Sequence, residues 1–290
     1  MTVALPAPAP SPRRRRLSAW QRLLADRAVL LGVLVLLLVV VSALGARWIA
    51  PHNPNAQDVS RRLLPPLSPG HILGSDELGR DILARIVYGS RVSLIVGFVS
   101  VAIAGTIGVL FGLVSGYSRS AVTIVIDWLT NVQLAFPFIL LAIAVVAVTG
   151  SGLRNLVIVL GVTSWPVYTR ITRGTVMGLR EREFVEASRA TGGSTVHILL
   201  RHVLPNTLAP LLVIATFEVA RLIVAEAALS FLGLGVQPNT PSWGSMLADG
   251  RGYLDTAWWL ATFPGVAIVL VVLGINLIGD WLRDEFDYRL

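Results

Sequence analysis

The sequence predicts an all-α, polytopic membrane protein with about six transmembrane helices. Three observations carry this. The 290 residues are 54% hydrophobic and 14% charged, with a mean hydropathy of +0.71, too apolar for a water-soluble domain. The apolar residues gather in runs long enough to cross roughly 30 Å of hydrocarbon at about 1.5 Å per helical residue. All 24 basic residues are arginines, dispersed at the ends of these runs and in the connections, as expected of positive charge flanking membrane spans.

The same composition excludes several functions. A phosphate-cradling P-loop needs a lysine to reach the β and γ phosphates, and the chain has none, so ATP chemistry belongs to a partner. With no cysteine there is no disulfide, no thiolate nucleophile and no Cys-ligated metal. The net charge of +7 is not gathered with aromatics on one soluble face, so no nucleic acid is expected as a partner. His52, His71, His197 and His202 are the histidines, none in a His-Glu-x-x-His arrangement, and no Gly-x-Ser-x-Gly elbow occurs. Metalloprotease and serine-hydrolase readings therefore lack their constellations, and no catalytic or metal-ligating residue is assigned.

Residues 1–27 are expected to be a disordered, basic cytoplasmic tail, because Pro6, Pro8, Pro10 and Pro12 stand in a stretch with little apolar surface. The arginines at 13–16 anchor the cytoplasmic end of a first span over 28–46. Two rivals attach here: the small residues at 42–46 suit signal cleavage, and the arginines before Leu17 faintly resemble a twin-arginine export signal. Residues 47–91, punctuated by Pro51, Pro54, Pro65, Pro66 and Pro69, read as an extracytoplasmic loop. Its six arginines fit the positive-inside rule poorly, but Asp58, Asp76, Glu77 and Asp81 accompany them and the rule weakens in longer loops.

Residues 92–290 form the transmembrane core, with spans expected at 92–117, 128–149, 153–176, 208–232 and 258–282. In the second span Gly108, Gly112 and Gly116 stand four apart and clear one helix face for a close neighbour. With the N-terminus inside, six spans return the C-terminus to the cytoplasm, and the arginine-rich stretch 170–206 falls on that side too. Within the fifth span, Glu218 and Arg221 are spaced to pair along one helix face, while Glu226 is too far round to join them. All three are candidates for the pathway or a gate, and Glu226 is alternatively placed to bond the following outer loop.

The inner loop 181–206 is the most informative stretch, since a polar insert of this length serves something in the cytoplasm. It reads as two short helices. The first covers 181–191, with acids in its first turn and Gly192-Gly193 able to end it. Ser194 caps a second that runs to Leu204, with Pro205 opening the next segment. On the first, Phe184, Ala187, Ser188 and Thr191 share a face of one bulky anchor and small residues. That face suits docking into a groove, and equally an amphipathic helix on the membrane surface.

Glu186-Ala187-Ser188, then Gly192, then Leu204-Pro205 resembles the EAA motif of membrane subunits of bacterial ABC importers. Ser188 replaces the usual second alanine, and His202-Val203-Leu204-Pro205-Asn206 resembles the peptide and nickel branch. Leu73-Gly74-Ser75-Asp76-Glu77-Leu78-Gly79-Arg80-Asp81 is similar to the segment before the second span in C-type permeases of dipeptide and oligopeptide importers. So are Glu226-Ala227-Ala228-Leu229-Ser230-Phe231-Leu232-Gly233-Leu234-Gly235 with Pro241-Ser242-Trp243-Gly244, and Asn276-Leu277-Ile278-Gly279-Asp280-Trp281-Leu282-Arg283-Asp284. Departures fall between Tyr117 and Phe136, where Arg119-Ser120, Thr123 and Asn131 replace a Gly-Gly turn and two aspartates, leaving Asp127 and Trp128 out of register. Tyr288 replaces a proline.

The resemblance implies a type I ABC importer permease fold in the bacterial inner membrane, with both termini cytoplasmic. It implies a coupling helix that docks on a nucleotide-binding subunit, with Glu183, Phe184, Glu186, Ala187, Ser188, Arg189, Gly192, Leu204 and Pro205 at or under the contact. The implied partners are a second permease, one or two ABC ATPase subunits or a fused ATPase that binds ATP and magnesium, and an extracytoplasmic solute-binding protein. The chain itself holds no cofactor. Dipeptides or oligopeptides are the preferred substrates and nickel chelates the alternative. The rival classes are an intramembrane enzyme and a proton-coupled secondary carrier, which would need no docking loop.

Overall fold

The computed structural model describes residues 19–237 and 239–287. The arginines at 13–16, the prolines before them and Tyr288 lie outside these residues. Helix α1, Ala19–Ala25, precedes α2, Arg27–Leu44, so residues 19–25, inside the stretch expected to be a disordered tail, are helical. The reason is local capping and a distant ion pair. Asp26 Oδ1 accepts from the backbone N–H groups of Ala28 at 2.9 Å and Val29 at 3.3 Å, and Arg22 Nη2 bonds Glu285 Oε1 at 2.9 Å near the chain's other end.

The short α3, Ala46–Ile49, leads into an irregular loop with one 3-10 turn, Val59–Arg61. Helix α4, Ile82–Tyr117, then begins where the sequence predicts polar loop up to residue 91. Asp81 caps it, accepting from Ala84 N at 2.8 Å. Arg85 and Arg91 hide this start from a hydropathy reading, but both charges are met: Arg85 bonds Asp76, and Arg91 Nε donates to Ala43 O.

The span predicted over 128–149 is two helices, α5, Ala121–Ala135, and α6, Phe138–Thr149, bent by 94° at the break. Pro137 causes the break. It lacks an N–H and pushes the preceding residue out of helical geometry, and Phe136 sits at φ −89°, ψ 136°. Helix α7, Leu153–Leu179, follows, then α8, Glu183–Ala190, and α9, Thr195–Ile198. A π-helical turn, Leu199–Val203, joins α9 to α10, Leu204–Phe231. Last come α11, Trp243–Gly250, and α12, Trp259–Asp287. Among the described residues there are no strands, only isolated bridges at Ser68–His71 and Ser75–Asp81.

Helices α2, α4, the α9–α10 unit and α12 are long and apolar enough to cross a membrane, and the bent α5–α6 pair makes a fifth span if counted as one. Helix α7 is the sixth expected span. At 27 residues it is about 40 Å long, but Arg154, Arg170 and Arg173 dilute its apolar character. It is instead the helix most closely packed on α4. The glycine ladder makes this possible. A Cβ at Gly108 would stand 2.4 Å from Tyr168 Cβ, at Gly112 2.4 Å from Thr172 Cβ, and at Gly116 2.8 Å from Val176 Cβ. Backbones this close admit an interhelical bond, Thr169 Oγ1 to Gly108 O at 3.1 Å. The ladder therefore serves packing. Gly112→Leu is expected to cost about 1–3 kcal/mol by overpacking, read as a lower melting temperature in detergent, whereas Gly178→Ala, with nothing within 4 Å of its Cβ position, is expected to leave melting unchanged or higher.

One end of the bundle is closed by residues 58–81 and α11. The Trp259 indole donates to Ser75 O at 3.2 Å and that of Trp243 to Ile86 O at 3.0 Å. Beneath them Asp76, 1% exposed, gathers two arginines: Arg80 Nε bonds its Oδ2 at 2.6 Å, and Arg85 Nη1 bonds the same oxygen. Asp249 of α11 lies 3.4 Å from Arg80 and 3.3 Å from Arg85. Two of the six arginines that sit awkwardly in an outer loop are thus internally neutralised.

Candidate functional site

At the opposite end the chain turns outward through the elbow formed by α8, α9 and the π turn. Its inner side is apolar. Val185, Ile198 and Val203, each at most 1% exposed, pack with Leu113 of α4 and Val176 of α7, and Leu204 lies against the same cluster. Val185 carries no periodic signal in its polar surroundings, and Ile198 and Val203 belong to the apolar side of the run Val196 to Leu204.

The outer side carries the predicted docking residues. Glu183, Phe184, Glu186, Ala187 and Arg189 of α8 are exposed, and Ser188 is half-buried. The helix ends in a Schellman arrangement: Gly192 takes φ +85°, its N–H bonds Arg189 O at 3.1 Å, and Gly193 N–H bonds Ser188 O at 2.9 Å. Ser194 Oγ then accepts from His197 N at 3.3 Å to start α9. Arg189 Nη2 bonds the Tyr117 hydroxyl at 3.2 Å, which ties α8 to the end of α4 and pushes the guanidinium up from its ordinary pKa. Phe184 lies 6.3 Å from the His202 ring, itself 5.7 Å from that of His197. Leu204 and Pro205 are not part of the α8 ridge. Leu204 braces it from below, and Pro205 is exposed at the start of α10. Contrary to the expected boundary there, the helix runs on, because the wider π turn leaves room for a proline ring that would otherwise meet the carbonyl of Arg201.

Inside the bundle, Glu218 and Arg221 pair as their spacing predicts. Arg221 Nε and Nη2 bond Glu218 Oε1 at 2.9 Å and Oε2 at 2.6 Å, and Nη2 reaches Ser164 Oγ at 3.1 Å. The same guanidinium stands over the Phe138 ring at 4.1 Å, so one cluster links α10, α7 and α6. Glu226 is elsewhere and fully buried. It accepts from Ser230 Oγ at 2.7 Å, one turn along a face on which Gly244 of α11 packs, its Cβ position 2.5 Å from Ala227 Cα. Its bond thus stays within α10, beneath the face that α11 covers.

Arg170 and Arg173, at the start of the arginine-rich stretch, lie on α7, which continues to Leu179. Arg173 bonds Asp127 of α5 at 2.8 Å, and Arg170 bonds Asn131 at 3.3 Å.

Long apolar helices around a charged interior, with a polar elbow held rigid at one end, define a multi-span membrane transport subunit. The chain belongs to the family of binding-protein-dependent transport system inner membrane components, which it matches over residues 108–290. Residues 17–66 match the N-terminal transmembrane domain of oligopeptide transport permease C. Among its relatives, the di/tripeptide transport system permease protein DppC of Pseudomonas aeruginosa (strain UCBPP-PA14) is 46% identical over 276 residues, covering 93% of this chain and 91% of that one. The dipeptide transport system permease protein DppC of Alkalihalophilus pseudofirmus is 40% identical over 294 residues, covering 100% and 96%. In fold the chain is similar to an inward-facing structure of the MetNI methionine ABC transporter, with a TM-score of 0.57 and 23% identity over 69% of this chain and 95% of that one. It is a permease subunit of an ABC importer, as the motifs imply.

Proposed function

We propose that this chain is one of two permease subunits that together form the route for short peptides across the bacterial inner membrane. The observation that carries the substrate class is the identity of 46% and 40%, over nearly the whole chain, to permeases named for di- and tripeptide and dipeptide transport. ATP and magnesium are held by a separate ATPase subunit, and an extracytoplasmic binding protein delivers the peptide. The elbow faces the cytoplasm. Supporting this orientation, Arg180, Arg182, Arg189 and Arg201 cluster there, while the arginines at the other end include two paired with Asp76.

In this reading α8 is the docking surface. Phe184 is the bulky anchor, Ala187 and Ser188 permit close approach, and Glu183, Glu186 and Arg189 form the charged rim. Gly192 fixes the turn that aims the next helix, and Leu204 and Pro205 lead the displacement into α10. Closure of the ATPase pushes on α8, and Val185 in its apolar seat passes that push to α4 and α7. Glu218 and Arg221 lie on the moving helix.

The test is uptake into proteoliposomes holding the full transporter. Dipeptide accumulation is expected to stop on ATP depletion and to survive collapse of the proton gradient. Uptake that follows the proton gradient would select the secondary carrier, and uptake of a nickel chelate in place of peptide would move the substrate class.

A further inference from the structure

Between Tyr117 and Phe136 the chain carries a polar strip that the docking role does not use. On α5, Thr123, Asp127, Thr130 and Asn131 fall at helical spacing on one side, whereas Val122, Ile124, Val125, Trp128 and Leu129 are apolar and exposed. The strip faces α7 across a cleft of about 140 Å³, lined also by Arg170, Arg173 and Met177. Further toward the other end Gln133 Nε2 donates to Thr163 O at 2.8 Å, and Ser164 beside it receives Arg221. Polar groups thus run from near the elbow to the Glu218–Arg221 cluster along one side of α7.

The two arginines in the cleft differ. Arg173 is neutralised by Asp127 at 2.8 Å. Among the described residues Arg170 has no carboxylate partner, its one bond is to the neutral Asn131 amide at 3.3 Å, and it is exposed. A guanidinium within a span costs about 2.5–3.5 kcal/mol at the bilayer centre, which is why such groups line water-filled routes or meet a counter-charge. Guanidinium is also the side chain whose flat fork matches a carboxylate.

We infer that the α5–α7 cleft is a station on the transport route, where Arg170 takes the free carboxylate of a passing peptide and Asn131 orients the guanidinium. The inference rests on the peptide reading above and deepens it. Arg173 and Asp127 satisfy each other and hold the two helices together, which leaves the cleft with one net positive charge for an anionic group.

The chain's lack of cysteine makes it directly testable in the full transporter, with partner subunits also cleared of reactive cysteine. Met177→Cys, at the cleft lining, is expected to react with a membrane-impermeant, charged thiol reagent in inside-out vesicles. Ile124→Cys, on the apolar face, is expected to resist. Transported dipeptide should slow modification of Met177→Cys. Adding Arg170→Gln should remove that protection and lower dipeptide uptake about tenfold, the loss of one charge-assisted contact. Arg170→Lys should restore part of both, with co-purification of the partner subunits reporting intact assembly. Equal reactivity of Met177→Cys and Ile124→Cys, or protection and uptake unchanged in Arg170→Gln, overturns the inference. Absence of ATP-dependent dipeptide uptake by the unsubstituted transporter would instead defeat the peptide reading, before any variant is compared.

Discussion

Glu186→Lys is expected to release the ATPase from the permease pair and reduce ATP-driven uptake to background, while the chain still inserts and folds. Glu186 is exposed on α8 and bonds no other side chain among the described residues, so reversing its charge costs the elbow only a first-turn carboxylate and an exposed, solvent-screened attraction to Arg189, a small loss. In the proposed complex the same position lies within a contact. A like charge set against the groups that accept a carboxylate costs several kcal/mol, more than a small interface can absorb. The measurement is co-purification of the ATPase on a tagged permease, with melting temperature as the folding control. Unchanged co-purification would remove α8 from the contact.

The second large effect is one of stability. Asp76→Ala is expected to destabilise the chain by about 3–5 kcal/mol, because it strips buried Arg85 of its close counter-charge and leaves Arg80 leaning on Glu77 at 2.9 Å. Asp76 accepts from Arg80 Nε and Arg85 Nη1, and its Oδ1 also takes the backbone N–H groups of Leu78 at 3.0 Å and Arg80 at 2.8 Å. Asp249 reaches both arginines only at 3.3–3.4 Å and is a poor substitute. Thermal melting in detergent reads the loss. Asp58→Ala, which removes an exposed partner of Arg61 and the cap of a three-residue turn at Ser60, serves as the contrast and should lower the melting temperature far less. Similar losses for both would mean that burial around Asp76 does not set the strength of this network.

Much of this was legible in the residues because membrane helices announce themselves by composition. Apolar runs locate α2, α4, α10 and α12, and the glycines at 108, 112 and 116 correctly imply a close helix contact. Gly192 and Ser194 take their expected capping roles, because those depend on backbone geometry within a few residues. The errors share a cause: a hydropathy reading treats each charge as solvated. Arg85 and Arg91 are matched by groups distant in sequence, so α4 starts earlier than its apolar run. Pro137 and Pro205 illustrate the limit of local rules. The first breaks a helix at a sharp bend, while the second is accommodated by a π turn, and only the surrounding packing separates the two outcomes. Val185 escapes notice since a single apolar residue has no periodicity.

The uninterrupted winding from Thr195 to Phe231, 37 residues or about 55 Å of rise, has a mechanical consequence. The foot of this rod lies beside the docking ridge and its far half carries Glu218 and Arg221, joined to the foot by unbroken helix. Tilt imposed at the foot therefore reaches the charged pair as leverage, in step with the stroke that causes it.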